Sequence, residues 1–502
     1  MTNEPIFNVA SFHSRQKICT GQAAIETRLL PPAGISIAKV LSFSATPDLN
    51  LSDIFTGEAR YGGRVRFSAL FLDTAGGIQT LETAAEFNDK VLSDHLTAAS
   101  KPDFLAKVLD IEVVAIASDE IKLACMIECD LFDTVAVRAK YLSQAGEDVF
   151  VQEETVLTHK LSTKSVETFD LSDEIKVTGN RLLIANPKIV LKGVSCASGF
   201  VTINGEVITD LLTEINGEIL SIKATSRFSQ QLSADGCTGD HHASVFLKLK
   251  KSQINLISDA DVAAVTLDFE IEASTTVFEG QELTLAADAF SISSSLKIEH
   301  EQIEIVKNDT FKSATEWVEG SVTIDDDLPL PDRILGAVSD RLNFVNSFVK
   351  DGRLVIEGTV TASIVYYSAE VEGKNSVDIE LPFSIVTGES VSGEVVELSG
   401  CVYEMGAKLR RSGEIDIRAE IAFCVGAASR AGAKVITGLT RGEQSAIPQS
   451  AISLHIAKAG EGLFDVAKSM RTTPELILIQ NPALDLPLKG GERVLVYRHL
   501  KR

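Results

Sequence analysis

Apolar and polar residues alternate with period two through much of this chain. The clearest stretch runs from Leu354 to Val386. Val355, Glu357, Thr359 and Thr361 alternate there with Ile356, Gly358, Val360 and Ala362. Glu372-Gly373-Lys374-Asn375 interrupts the pattern, and Val377, Ile379, Leu381 and Phe383 resume it on one face. Alternation on both sides of a polar, glycine-containing turn predicts a β-hairpin. The same wording occurs twice earlier. Gly63 to Phe87 and Gly205 to Phe228 each open on glycine, turn at Gly76-Gly77 or Gly217, and close on phenylalanine, as Gly358 to Phe383 does. Recurrence at domain-sized spacing predicts internal duplication.

Three β-rich stretches surround these hairpins. In residues 1–155, Leu30-Pro31-Pro32-Ala33-Gly34 is a turn, followed by a strand from Ile35 to Ala45 and the first hairpin. Ile111–Ile116 and Ile121–Leu131 make a further hairpin about Ala117-Ser118-Asp119, with Ile121, Leu123, Cys125, Ile127 and Cys129 on one face. Residues 156–305 repeat the scheme with Arg181–Val194, the second hairpin, and alternating Val265, Leu267, Phe269 and Ile271. Residues 306–428 end on Ile415, Ile417, Ala419, Ile421 and Phe423. The expected fold is mainly β: three sandwich-like repeat modules with little helix. Pro331–Phe344 fits a short amphipathic helix or a strand equally, through Ile334, Leu335, Val338 and Leu342. Ala427–Ser450 is small, polar and rich in Gly and Ser apart from Val435-Ile436, so 429–450 reads as a linker.

The pattern changes in residues 451–502. A strand from Leu454 to Lys458 meets the turn Gly460-Glu461-Gly462. Leu463, Val466, Ala467 and Met470 form one helical face. Thr472 or Thr473 caps a second helix, with Pro474 and Glu475 in its first turn. Leu476, Ile477 and Ile479 are its expected buried side, Asn481-Pro482 stops it, and Lys489-Gly490-Gly491 leads into a strand, Arg493–Tyr497. The unit reads βααβ.

Charge divides the chain along the same line. The 502 residues carry a net charge of −23. From Ile452 onward, eight basic residues stand against five acidic ones, or +3, which leaves −26 on the rest. So acidic a body repels nucleic acid and anionic lipid, and neither is an expected partner. The N-terminal MTNEPIFNVASFHSRQK has no apolar segment of signal-peptide length, and no run approaches a membrane span, so no membrane insertion is expected. Seven irregularly spaced cysteines read as reduced intracellular thiols rather than a disulfide framework.

The last unit resembles a LysM module. Gly460, Leu463, Val466-Ala467, Leu476, Asn481-Pro482, Gly491, Val494 and Val496 carry the resemblance, while Glu461-Gly462 stands where that family commonly has Asp-Thr or Asp-Ser. The upstream stretches resemble an uncharacterised repeat domain of endospore-forming bacteria, most closely in Leu328–Tyr367. Together they are similar to spore-coat morphogenetic proteins, with repeated modules before a C-terminal LysM. The resemblance implies a non-enzymatic scaffold on the cytoplasmic, mother-cell side at the forespore surface. It implies a LysM that docks a spore-coat morphogenetic protein. Its groove position implies a site at Ala459, Gly460, Glu461, Gly462 and Leu463, with Asn481, Pro482, Ala483 and Leu484. The alternative is a cell-wall protein whose LysM binds peptidoglycan through N-acetylglucosamine polymers.

Catalytic patterns are sparse. The sequence holds no Gly-x-Ser-x-Gly elbow, phosphate loop or His-Glu-x-x-His. Cys237-Thr-Gly-Asp240-His241-His242 combines zinc-ligand types within six positions, but no second ligand group accompanies it, and a polar hairpin loop is the plainer reading. Asp325-Asp326-Asp327 reads as a solvated turn, and Trp317 as core or an interface anchor. Neither a cofactor nor a metal is expected.

Overall fold

The computed structural model describes residues 4–259, 262–325, 327–410, 413–444 and 451–498. It is mainly β, built from antiparallel sheets, with two short helices near the C-terminal end.

One strand order occurs three times. The first set is β1 (Ile6–Leu29), β2 (Ile37–Phe55), β3 (Glu58–Asp73), β4 (Ile78–Leu92), β5 (Asp103–Ala117) and β6 (Glu120–Gln144). It forms two sheets, β1-β6-β5 and β2-β3-β4. The second set is β7 (Val149–Val177), β8 (Arg181–Ala197), β9 (Phe200–Ile215), β10 (Glu218–Ser233), β11 (His242–Asp259) and β12 (Val262–Ser291). Its sheets are β7-β12-β11 and β8-β9-β10. The third is β13 (Ser294–Thr323), β14 (Arg333–Lys350), β15 (Arg353–Ser368), β16 (Gly373–Ser390), β17 (Glu394–Leu409) and β18 (Glu414–Gln444), in sheets β13-β18-β17 and β14-β15-β16.

The recurring hairpins are β3–β4, β9–β10 and β15–β16. Their glycine and phenylalanine are direct cross-strand partners each time: Gly63 with Phe87, Gly205 with Phe228, Gly358 with Phe383. A Cβ at these glycines would lie 2.2 Å from the Asp48 carbonyl oxygen, 2.5 Å from that of Val190 and 2.4 Å from that of Asn343. Each of those carbonyls belongs to the strand on the other side, so the backbones approach too closely for any side chain. At Gly205 and Gly358 the ring of the partner phenylalanine covers the bare glycine from the neighbouring strand.

Within each set the two sheets face one another across an apolar core, as in a sandwich. In the first, Ile121, Leu123, Ile127, Cys129 and Leu131 of β6 meet Tyr61, Val65, Phe67 and Phe71 of β3. In the third, Ile415, Ile417, Ala419, Ile421 and Phe423 of β18 meet Ile356, Val360 and Ile364 of β15.

The first and last strand of each set are far longer than a sandwich needs, 24 residues in β1 and 31 in β18. Register shifts at Lys17/Cys19, Val277/Phe278 and Val306/Asn308 interrupt all three long pairs. Such shifts bend a strand. Beyond them the ends of the long pairs gather into one shared core: Ala10, Phe12 and Ala139, then Val156, Leu283 and Leu285, then Ile303, Ile305, Ala433 and Val435. A second junction joins Leu41 and Leu70 to Leu183 and Leu212 and to Val338 and Val365.

This gathering changes several sequence expectations. The boundaries at 155/156 and 305/306 fall inside strands, because β7 begins at Val149 and β13 at Ser294. The stretch 429–444 is strand rather than linker: β18 runs on to Gln444, which pairs with Ser294. Its alanines and glycines suit close packing at a crowded junction, and Val435 and Ile436 are fully buried there. Residues 445–450 lie outside the described residues. Pro331–Phe344 resolves as strand, since β14 starts at Arg333.

Candidate functional site

The C-terminal unit is β19 (Ile452–Ile456), α1 (Leu463–Met470), α2 (Pro474–Gln480) and β20 (Arg493–Tyr497), with the two strands paired antiparallel. Val466, Ala467, Met470, Ile477, Leu488, Val494 and Val496 form its core. Local chemistry explains each boundary. The Asp465 carboxylate accepts from the Gly462 N–H at 2.8 Å and opens α1. Thr473 Oγ1 accepts from the Leu476 N–H at 3.0 Å, with Pro474 at the first helical position of α2. Gly490 has φ +97°, and a Cβ there would lie 2.8 Å from the Ala459 nitrogen, so that turn requires glycine.

The first expected loop spans Ala459–Leu463. Its one charged side chain is turned back on the unit itself. The Glu461 carboxylate receives His455 Nε2 at 2.9 Å and the Lys458 N–H at 2.8 Å. The hydrogen bond from His455, then that from Lys458, holds the Glu461 carboxyl below the usual range. Ala459, Gly460 and Gly462 are exposed backbone, and Leu463 packs on the core.

The second loop spans Asn481–Leu484. Asn481 is fully engaged: Nδ2 donates to the Ile477 and Leu495 carbonyls, both at 2.8 Å, and Oδ1 accepts from the Leu495 N–H at 2.9 Å. Gln480 clasps the Tyr497 backbone in the same way, accepting at 2.8 Å and donating at 3.0 Å. Pro482 and Ala483 are exposed, and Leu484 is partly buried on the core. Asn481–Leu484 line a surface depression of about 390 Å³ with Asp485, Lys489, Glu492 and Arg493. Ala459–Leu463 do not line this depression. Ile479, expected in the core, is 74% exposed. It lies two positions beyond buried Ile477, about 200° around the helix.

The unit is fastened to the rest of the chain. Phe464 of α1 meets Phe290 of β12 edge-on at 5.1 Å, and Phe290 stacks on Phe150 of β7 at 5.3 Å. Lys468 forms an ion pair with Asp288 beside them. Isolated aromatics at 150 and 290 gave the sequence reading no signal for this contact.

A buried polar cluster ties the three strand sets together. Arg15 of β1 donates to Asp103 of β5 at 2.5 Å and to both oxygens of Glu397 of β17, at 2.5 and 3.2 Å. Lys164 of β7 approaches Asp103 at 3.3 Å, and Ser274 of β12 donates to it. Burial alone would raise the Asp103 carboxyl, but Arg15 and Lys164 hold it below the usual range. At a second point Lys188 of β8 bridges Asp210 of β9, at 2.7 Å, and Asp340 of β14. Burial raises the Asp210 carboxyl, with Lys188 opposing that rise. These partners lie up to 382 residues apart, beyond the reach of any spacing pattern.

The remaining candidates behave as structure. Cys237 is buried beneath its loop, and Thr238 donates to Asp240. His242 meets His159 edge-on at 5.6 Å. Among the described residues no group of three or more His, Cys, Asp and Glu is placed to hold a metal. Trp317 lies on the surface beneath the Arg418 guanidinium, 3.9 Å from its ring centre. Asp326 lies outside the described residues. No helix among those described is long and apolar enough to cross a membrane. Compared with protein-family models, with curated proteins and with solved structures, the chain matches none.

Proposed function

We propose that this chain is a non-enzymatic scaffold of the spore coat, with three copies of one β-sandwich unit and a LysM-like tail that docks an acidic coat protein at the forespore surface. The observation that carries the reading is how the tail spends its polar side chains. Glu461 and Asn481, the strongest hydrogen-bonding groups of the two loops, are engaged within the tail. Glycan recognition requires convergent polar groups free to pair with hydroxyls. Peptidoglycan binding remains the second reading, favoured by the depression at Asn481–Arg493.

Support for the three copies comes from the repeated strand order and from the glycine–phenylalanine partners at one register. Support for an acidic partner comes from the tail's +3 charge against the −26 of the rest of the chain. Opposite charge speeds encounter and weakens with salt. The test immobilises the full chain and challenges it with extract of sporulating cells. A coat protein should be retained at low salt, and the variant Lys489→Glu/Arg493→Glu should retain much less. Equal retention by that variant would reject an acidic partner docking at this face.

A further inference from the structure

We infer that the outer edge of β19 is a strand-pairing surface whose partner is a second copy of this chain. The two-stranded sheet has two edges, and only one is closed. On β20 the outward backbone groups of Leu495 and Tyr497 are taken by the Asn481 and Gln480 amides, which stand in for a neighbouring strand. On β19 the inward groups are spent on β20. Ala457 pairs with Glu492 and Gly491 at 2.9 and 2.7 Å, and Ala451 accepts from Arg498 at 2.9 Å. Alternation then turns the N–H and C=O groups of Ile452, Leu454 and Ile456 outward. No partner among the described residues meets them.

The side chains of the same three residues are also uncovered. Ile452, Leu454 and Ile456 are 59%, 57% and 57% exposed, and Tyr497, opposite Ile452, is 48% exposed. Open strand edges are usually blunted by a lysine, a proline or a bulge. β19 has none of these, and its register with β20 is unbroken.

Two observations select a second copy. First, Ile-Ser-Leu-His-Ile reads almost the same in both directions about Leu454. An antiparallel pair on a two-fold axis through Leu454 sets Ile452 against Ile456 of the partner subunit, and Leu454 against Leu454 of the partner subunit. Like apolar groups meet, no like charges do, and the contact is self-complementary as a two-fold interface must be. Second, charge restricts where two copies can approach. Bodies that carry −26 repel one another, whereas β19, with no Asp, Glu, Lys or Arg, brings no like charge to the contact. The product is a four-stranded sheet, β20-β19-β19-β20, with two acidic bodies held apart. It stands independently of what else the tail docks.

Sedimentation equilibrium of the full chain tests this, with Leu454→Lys, Leu454→Glu, their equimolar mixture, and Ile479→Lys as a control on the exposed side of α2. The expected result is twice the mass of one chain for the wild type and for Ile479→Lys. Each Leu454 variant alone should have the mass of one chain, and the mixture should recover the double mass, because Lys and Glu then meet across the axis. A monomeric wild type would overturn the inference and leave the edge to a foreign strand. So would a dimer that survives Leu454→Lys, one lost equally in Ile479→Lys, or a mixture that stays monomeric.

Discussion

At the scale of single residues, the glycine–phenylalanine partners are the most exacting feature. A side chain at Gly205 would meet the Val190 carbonyl at 2.5 Å and the Phe228 ring at 2.4 Å. Gly205→Val should therefore cost about 1–3 kcal/mol or more, as overpacked sites do. Gly193 has open space around its missing Cβ, and Gly193→Ala should stay within roughly 0.5 kcal/mol of the parent. Chemical denaturation of both variants checks the contrast, and equal losses would contradict it. Arg15 is a second such residue. Arg15→Ala leaves Glu397 buried without its cation and Asp103 with Lys164 alone, and should lower stability by about 3–5 kcal/mol on the same measurement. Two histidines set a pH dependence. Burial, followed by Lys160 for His13 and by His242 for His159, lowers both below their ordinary 6.5. The unfolded chain then binds more protons than the native one as pH falls through 6.5, so stability drops on acidification. His159→Gln should flatten the fall in denaturation midpoint between neutral and mildly acidic pH, and an unchanged slope would contradict this origin.

At the scale of elements, legibility followed burial on one face. Ile121 to Cys129 and Ile415 to Phe423 alternate cleanly because one face meets a core and the other water, and both are strands as read. The outer ends of β7, β13 and β18 lacked that signal. Their inner face is small or weakly apolar, as at Ala433, and part of their outer face packs on neighbouring strand pairs. In the tail, the helices and β20 were legible from capping and spacing, and so was the position of the loops about Glu461 and Asn481. Their inward hydrogen bonding was not, since Glu461 meeting His455 and Asn481 meeting Leu495 depend on how the unit closes. Ile479 misled because a seven-residue helix leaves the buried arc poorly defined. The fastening of the tail yields a prediction at this scale. Phe290→Ala removes the ring between Phe150 and Phe464, a loss of about 3–5 kcal/mol for a buried phenylalanine. Hydrogen exchange should rise across α1 and the adjoining ends of β7 and β12, while the remote β3–β4 hairpin is unaffected. Unchanged exchange in α1 would show that the aromatic stack does not fasten the tail.

At the scale of the whole molecule, three strand sets share two apolar junctions and a buried ionic cluster. Those joints favour a body whose parts hold fixed positions, as suits a scaffold. The tail then presents its open strand edge from one defined place beside Phe290. Docking a coat protein in preference to peptidoglycan is the central claim, and co-sedimentation of the full chain with insoluble peptidoglycan at low and high salt tests it most directly. A coat-docking scaffold should stay in the supernatant at high salt, with at most weak, salt-sensitive pelleting at low salt. Tight pelleting that salt does not reverse would contradict it and make the chain a glycan-binding protein.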